Sequence, residues 1–452
     1  MCIKYFSSLK EDKYKRQIVL VFFLFVIFLI LFTEPYLNTF NIVSRYLTIE
    51  SIVEDHDFII DDKYQATDDI IYREGHWYSS KPPILSIVTS SVYYITHNFF
   101  HQDFPEFNEI NEYKYYYSLY PTVYFTSLIF VGGTFFLLLV YFYKTLKLLA
   151  VDKKYHLPLI LGLGLGTLFL PYSTTLNNHT IAGSLLFMAF YYLLLIKYRA
   201  GNGPGLNRHL SIAGIFGSLA TVIDLPTGLV FYGLFFIYFL FKLGFKKIFY
   251  YLWPFFIIFS IHLYFNYQAF GGLLPAQLYK DYWFGPDGMP TLAAYFPRHS
   301  WYIYIFNILF GTHGFFSYTP LLILSFFGLF KVIKAKSEFF WEASIVLFGF
   351  IFVIAFYTLL ARDYGGTAYG FRWLISLTPL IYFFIIFLFK QGLSKKLSVW
   401  FNIFFIWSIF LAIIGVIDPW PMGFIITIFS DGEFLLPPVL AVLQTLVYSY
   451  GF

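Results

Sequence analysis

The segment richest in side chains able to do chemistry is 51–86, SIVEDHDFIIDDKYQATDDIIYREGHWYSSKPPILS. A carboxylate can accept a proton from a hydroxyl or an amine. Lys81, directly before Pro82 and Pro83, could hold the phosphate of a lipid at a membrane surface, and the prolines would stiffen the chain around it. The segment thus offers a base and a counter-charge for an anionic leaving group. An acidic, solvated loop with one snorkelling lysine explains the same composition. Its carboxylates include Asp55, Asp57, Asp61, Asp62, Asp68, Asp69 and Glu74.

The whole chain must hold this loop at a membrane, as its composition indicates. Of its 452 residues, 59% are hydrophobic and 12% are charged, about half the charged share of a soluble protein, and the mean hydropathy is +0.67. A soluble fold could not cover so much apolar surface, and disorder needs the opposite composition. Cys2 is the single cysteine, which excludes a disulfide scaffold. The sequence therefore predicts an all-α polytopic membrane protein.

Apolar runs long enough to span a bilayer recur along the chain and predict eleven transmembrane helices. Their approximate bounds are 17–35, 118–143, 157–174, 180–196, 210–223, 227–242, 248–268, 317–333, 339–360, 373–390 and 397–417. Of the 30 Lys and Arg residues, 21 cluster in every second connection between these runs. Because cytoplasmic loops carry excess basic residues, the N-terminus is predicted in the cytoplasm and the C-terminus outside.

This topology makes 36–117 an extracytoplasmic first loop within one membrane domain that comprises residues 1–452. Counting 83–100 as a span would move basic residues to the outside, so this stretch is predicted to be an amphipathic helix at the outer interface. Residues 301–312 and 436–449 are expected to form similar helices.

The first loop resembles that of the C-type (GT-C) polyprenyl-phosphate-sugar glycosyltransferases, which include protein O-mannosyltransferases and the lipid A aminoarabinose transferase. The resemblance rests first on Asp69, Gly75, Trp77-Tyr78 and Lys81-Pro82-Pro83. Three later patches follow in the same order as in a bacterial branch of this superfamily and share its predicted outer face. They are 172–179 (YSTTLNNH), Asp224-Leu-Pro226 and 364–373 (YGGTAYGFRW).

The resemblance implies a GT-C-like bundle and an inverting transfer of sugar from a polyprenyl-phosphate donor, in the bacterial inner membrane. Many members carry an Asp-Glu pair just after the first span. The stretch taken to correspond here, 41–46 (NIVSRY), has no acid. The resemblance therefore assigns the catalytic base to Asp69, with Asp61 second and Asp57 and Asp68 weaker. Asp69 could equally cap a short helix that begins near 70.

Lys81 and Arg372 are the expected phosphate ligands, because a guanidinium can hold two phosphate oxygens and an unpaired charge at the start of a span is costly. His179 and Asp224 are expected substrate-binding residues, although an interfacial hydrogen bond and a helix cap explain them too. Tyr78, Tyr364 and Tyr369 could contact the sugar, and Gly365, Gly366 and Gly370 could allow a close backbone approach. Arg362 is weaker, since it could pair with Asp363.

No cofactor is expected, because the chain has no nucleotide-binding loop and no zinc-ligand spacing. Oxygen ligands at 55–57 and 61–62 leave a divalent metal open. The expected partners are the lipid-linked sugar donor, a lipid, glycan or protein acceptor and membrane lipids, with no nucleic acid. A flippase or transporter of lipid-linked glycans is a competing hypothesis, but it favours charges at mid-bilayer and internal repeats. A lipid-linked glycan polymerase is another, and the Lys-Pro-Pro loop favours the transferase over it.

Overall fold

The computed structural model describes residues 2–101, 120–198, 205–286, 288, 300–361, 363–366, 368–390, 392–421, 425–429, 432–435 and 439–443. These residues are mostly helical. The helices are α1 (Cys2–Phe32), α2 (Phe40–Glu54), α3 (Pro83–Phe100), α4 (Pro121–Leu148), α5 (His156–Leu165), α6 (Phe169–Tyr172), α7 (Asn178–Tyr198), α8 (Leu206–Ile223), α9 (Leu225–Leu243), α10 (Phe245–Phe270), α11 (Trp301–Leu309), α12 (Phe315–Tyr318), α13 (Leu321–Lys334), α14 (Phe340–Leu360), α15 (Arg372–Phe389) and α16 (Lys395–Ile417). The β-strands of the described part form two antiparallel hairpins. They are β1 (Ile70–Arg73) with β2 (His76–Ser79), and β3 (Ile425–Phe429) with β4 (Gly432–Leu435).

Eight of the described helices are long and apolar enough to cross a membrane: α1 from Lys13 onward, α4, α7, α9, α10, α14, α15 and α16. The chain is therefore a polytopic, mainly helical membrane protein, as its composition indicates. The predicted total of eleven spans is not confirmed. Two predicted spans are broken, 157–174 into α5 and α6 and 317–333 into α12 and α13, and the third, 210–223, lies in α8, which is not among the eight.

The bundle has two chemically different ends. Helix α7 begins at Asn178 and ends beside Lys197, whereas α16 begins at Lys395 and ends at Ile417. Since 23 helical residues span about 34 Å, the two ends lie a membrane thickness apart. Lys197 and Lys390 both contact Glu338, and Lys197 also pairs with Glu342, so the described lysines at the ends of α7 and α15 lie together at one end, which we call the lysine end. The outer-loop residues gather at the opposite end.

Helix packing brings distant parts of the chain together at this opposite end. Helix α7 packs between α4 and α8, α8 packs on α10, and α9 packs on α14. The approach of α8 to α10 depends on Gly214, because a Cβ there would lie 2.3 Å from the Tyr251 carbonyl oxygen. Buried apolar side chains from α1 to α16 form one continuous core.

The first loop is built from α2, the β1–β2 hairpin and α3. The expected short helix after Asp69 is wrong: 70–79 forms the hairpin, with Ile70 opposite Ser79 and Arg73 opposite His76. Glu74 and Gly75, both with positive φ, make the two-residue turn. Asp69 is therefore a strand-entry residue and not a helix cap.

The helix predicted over 83–100 is confirmed as α3, which starts with Pro83 in its first turn. One face packs on α2, and the opposite face is apolar and exposed, as expected for a helix in contact with lipid. Residues 301–309 are helical as well. Of the helix expected over 436–449, the described residues 439–443 are helical and the others lie outside the described part.

Candidate functional site

Polar and charged residues from seven separate segments meet at the end of the bundle opposite the lysine end. The segments are the chain after α1, helix α2, the end of β2, the start of α7, the α8–α9 junction, the start of α15 and the chain after α16. We call the residues described below the polar cluster. They are Glu34, Arg45, Asp69, Lys81, His179, Asp224, Arg372, Ser376, Asp418 and Trp420.

Lys81 and Asp69 form an ion pair, with 2.7 Å between Nζ and Oδ1. The hairpin positions both residues, because the Ser80 amide donates to the Asp69 carbonyl at 2.9 Å and the Lys81 amide donates to Ser79 Oγ at 3.1 Å. Ser44 of α2 donates to the same Asp69 carbonyl at 2.7 Å. Burial lowers the pKa of Lys81, and Asp69 opposes that shift. The residues expected to act as base and phosphate ligand are thus bonded to each other.

Arg45 of α2 is a buried cation, only 3% exposed. Its Nε donates to Asn41 Oδ1 at 3.2 Å and its Nη2 to Asn178 Oδ1 at 3.4 Å. Burial lowers the pKa of Arg45 to about 10, with Asp69 raising it and Arg372 lowering it further. Within the described part of the chain, no carboxylate lies within 4 Å of this guanidinium. Arg45 is not among the site residues predicted from the sequence, although a single basic residue among uncharged neighbours in 41–49 is a usable signal.

Arg372 begins α15. Like Arg45, it is a cation of the polar cluster that has no carboxylate partner among the described residues. Its guanidinium lies over the Trp420 ring, 5.0 Å from the centroid. Its Nε is fully buried and makes no hydrogen bond to any described residue. A Cβ added at Gly365, where φ is +92°, would lie 3.4 Å from Arg372 Cγ. An unfilled donor on a guanidinium is costly unless a ligand takes it.

The polar cluster contains three cations, Lys81, Arg45 and Arg372, and four carboxylates, Glu34, Asp69, Asp224 and Asp418. Lys81 interacts electrostatically with both Arg45 and Arg372, and Arg45 also with Asp224. These three cations face the carboxylates Asp69 and Asp224. Because neither arginine has a carboxylate partner among the described residues and one Arg372 donor is unfilled, this part of the cluster is suited to an anion such as a phosphate.

His179, Asp224 and Ser376 form a buried hydrogen-bonded unit next to the arginines. The Asp224 Oδ2 atom lies 3.0 Å from His179 Nδ1 and accepts from Ser376 Oγ at 2.5 Å. The Asp224 side chain reaches this position because the backbone leaves the helical conformation between α8 and α9. The sequence analysis named the histidine and the aspartate but did not find the serine.

Glu34, two residues after the end of α1, is a carboxylate linked to Arg372 through Thr175 and Trp420. Its Oε2 accepts from Asn38 at 2.9 Å, and Thr175 also hydrogen-bonds to it. Burial raises the pKa of Glu34 to about 8, and the neighbouring Asp418 raises it too. Thr175 in turn accepts from the indole nitrogen of Trp420 at 2.9 Å, which links Glu34 to the ring beneath Arg372. Glu34 is not among the residues predicted from the sequence. The signal that could have identified it is an acidic residue directly after the first apolar run.

Tyr78 lies on the hairpin and Asp61 contacts it from the preceding segment, and both residues are outside the polar cluster. The two Asp61 oxygens accept from the Trp77 amide at 2.6 Å and pair with His76 Nδ1 at 2.7 Å, so this carboxylate holds the hairpin together. Tyr78 packs on a small separate core that includes Phe270. Of the weaker aspartates, Asp57 accepts from the Ile59 amide, and burial raises the pKa of Asp68.

Tyr364 and Tyr369 support the loop that leads to Arg372. Tyr364 is stacked between Tyr304 and His313, at 5.1 and 5.2 Å between ring centroids. Tyr369 is fully buried and donates its hydroxyl to the Leu411 carbonyl at 2.7 Å. Neither hydroxyl reaches the polar cluster, and Arg362 lies outside the described residues.

Two further features of the described residues bear on ligands. They contain no group of three or more His, Cys, Asp or Glu side chains arranged to hold a metal ion. A groove of about 520 Å³ between α13 and α16 is lined by Phe327, Lys396 and Trp400, among others. It lies at the lysine end, about 30 Å from the polar cluster along α16, and its lining includes no carboxylate or histidine. The polar cluster is therefore taken as the candidate functional site.

No protein-family model matches this chain, and no curated protein matches it either. What the polar cluster can do is therefore argued from its own residues.

Proposed function

We propose that this protein is a glycosyltransferase that moves a sugar from a polyprenyl-phosphate donor to an acceptor at the extracytoplasmic side of the membrane. One observation carries the proposal. Two arginines without carboxylate partners among the described residues, Arg45 and Arg372, lie close together at the end of a membrane bundle and interact electrostatically with Lys81. A lipid-linked phosphate reaches such a place from the bilayer, and the GT-C-like motifs fall on the same end.

In the proposed reaction, the acceptor hydroxyl or amine attacks the anomeric carbon of the donor sugar. The bond between that carbon and the phosphate oxygen breaks, and its electron pair stays on the lipid phosphate. The leaving group gains negative charge, which Arg45, Arg372 and Lys81 stabilise in surroundings where water is scarce. Removing one such contact typically costs about 10²–10³-fold in rate.

The proton of the acceptor needs a base, and Glu34 is better supported than Asp69. Asp69 Oδ1 is ion-paired with Lys81, so this carboxylate is engaged in holding a phosphate-binding cation. Glu34 has no cationic partner among the described residues. Its pKa of about 8 is close to the value at which a general base works best near neutral pH. Asp61 is the least supported, since both of its oxygens hold the hairpin.

The test is turnover in proteoliposomes with a panel of short-chain polyprenyl-phosphate hexoses, followed by release of free polyprenyl phosphate. We expect wild type to cleave at least one donor. Arg372→Gln should lose about 10²–10³-fold. The matched control is Arg208→Gln, an exposed arginine at the lysine end, which should keep full activity.

Two results would contradict the proposal. If the protein moves intact donor across the bilayer and leaves the glycosidic bond whole, it is a flippase. If only lipid diphosphate-linked glycans react, it is a polymerase of such glycans.

A further inference from the structure

The unit formed by His179, Asp224 and Ser376 has no part in the phosphate contacts or in the proton transfer proposed above. Its members come from the first turn of α7, the α8–α9 junction and the first turns of α15, and all three are buried. The Ser376 hydroxyl lies 2.5 Å from Asp224 Oδ2 and 3.1 Å from the His179 carbonyl oxygen. Because Ser376 contacts both groups, it holds the Asp224 carboxylate and the His179 backbone in a fixed relative position.

This geometry decides which nitrogen of His179 carries the proton. A carboxylate oxygen accepts hydrogen bonds, so His179 Nδ1, 3.0 Å from Asp224 Oδ2, is the protonated nitrogen. The other nitrogen, Nε2, makes no hydrogen bond to the described residues and is not among the fully buried atoms. In the neutral imidazole, Nε2 is therefore a lone-pair acceptor that remains open on an otherwise buried ring.

The open nitrogen lies next to the phosphate-binding groups. Arg45 and Arg372 both act electrostatically on His179, as does Asp224, and Tyr357 of α14 faces the same Asp224 and Arg372 charges. A sugar attached to a phosphate held by these arginines must lie within reach of the neighbouring side chains. An acceptor nitrogen cannot bond a phosphate oxygen that also only accepts, whereas a sugar hydroxyl donates to it.

We propose that His179 Nε2 accepts a hydrogen bond from one hydroxyl of the transferred sugar, with Asp224 and Ser376 as positioning residues. The inference rests on the proposed function and narrows its substrate to a sugar with a free hydroxyl at one particular ring position. A donor without that hydroxyl leaves the nitrogen buried and unpaired, which costs roughly 10- to 100-fold in kcat/KM.

The experiment compares each reactive short-chain polyprenyl-phosphate hexose with its monodeoxy analogues, first on wild type, which needs no variant to fold. We expect one ring position at which the deoxy donor loses roughly 10- to 100-fold. His179→Ala should lower kcat/KM for the parent donor to the value that wild type shows with that deoxy analogue. With the analogue itself, the variant should show no further loss. His56→Asn, at an exposed site in the first loop, is the control and should keep the wild-type discrimination.

Positioning by Ser376 has its own readout. Ser376→Ala should weaken discrimination at the same ring position and should raise KM more than it lowers kcat. Ser376→Thr should restore the discrimination, because it restores the hydroxyl. The inference is overturned if wild type accepts every deoxy donor equally, or if His179→Ala keeps the wild-type discrimination. In both cases turnover of the parent donor still supports the proposed function. If no donor is cleaved by wild type, the proposed function fails and the inference falls with it.

Discussion

Lys81 Nζ lies 2.7 Å from Asp69 Oδ1, so two residues expected to play separate roles hold each other in place. The hairpin makes this pairing possible, because Ser80 closes back on the Asp69 carbonyl and places Lys81 beside its carboxylate. A lysine held in this way is ready to exchange its carboxylate partner for a phosphate. The pair therefore suggests positioning as the main role of Asp69.

Asp69→Asn should lower kcat by no more than about 10-fold, because the amide keeps the shape of the side chain and only releases Lys81. Glu34→Gln should lower kcat by about 10²–10⁴-fold, the usual contribution of a general base. Single-turnover kinetics with saturating donor separates the two variants. The opposite ranking would return the role of base to Asp69.

The pH dependence of transfer should follow Glu34, whose pKa is raised from 4.5 to about 8. Since the base acts in its deprotonated form, kcat/KM should rise with pH and level off above about pH 8. Folding stability should change in the opposite sense. The folded chain keeps a proton that the unfolded chain loses, so this contribution is complete below about pH 4.5 and is lost as the pH rises through 8. Glu34→Gln should remove that part of the pH dependence from thermal unfolding curves.

Arg45→Met should separate stability from function. A buried cation without a carboxylate partner pays a desolvation cost that a methionine of similar volume avoids. We expect an unfolding temperature equal to or a few degrees above wild type, and a loss of donor binding measured with a non-transferable donor analogue. A clear fall in unfolding temperature would show that the bonds from Arg45 to Asn41 and Asn178 are worth more than the desolvation cost.

Gly228 and Gly233 of α9 form a matched pair for testing helix packing. A Cβ at Gly228 would lie 2.4 Å from the Thr221 Cα atom, whereas a Cβ at Gly233 meets nothing within 4 Å. Gly228→Ala should therefore destabilise the protein by about 1–3 kcal/mol, because the backbone of α8 must move. Gly233→Ala should be neutral or stabilise by up to about 1 kcal/mol through helix propensity. Thermal unfolding in the same detergent measures both.

Sequence alone determined the class of this protein and the division of its charges. Composition predicts a polytopic helical membrane protein, and helix α3 follows from its own apolar residues and prolines. These properties are local, because transfer free energy and helical periodicity act on neighbouring residues. For the same reason, Lys81, Arg372, His179 and Asp224 stood out one by one as polar residues at span ends.

The tertiary structure decided which of these residues meet. Glu34, Arg45 and Ser376 join the polar cluster although they are far apart in the chain. In contrast, Asp61 is bonded to the hairpin and Tyr369 is bonded within the core, so neither reaches the cluster. The hairpin itself replaced an expected helix because 70–79 pairs across a two-residue turn that needs positive φ. Contacts such as Asp224 with Ser376 join residues 152 positions apart, and only the packing of whole helices sets such a distance.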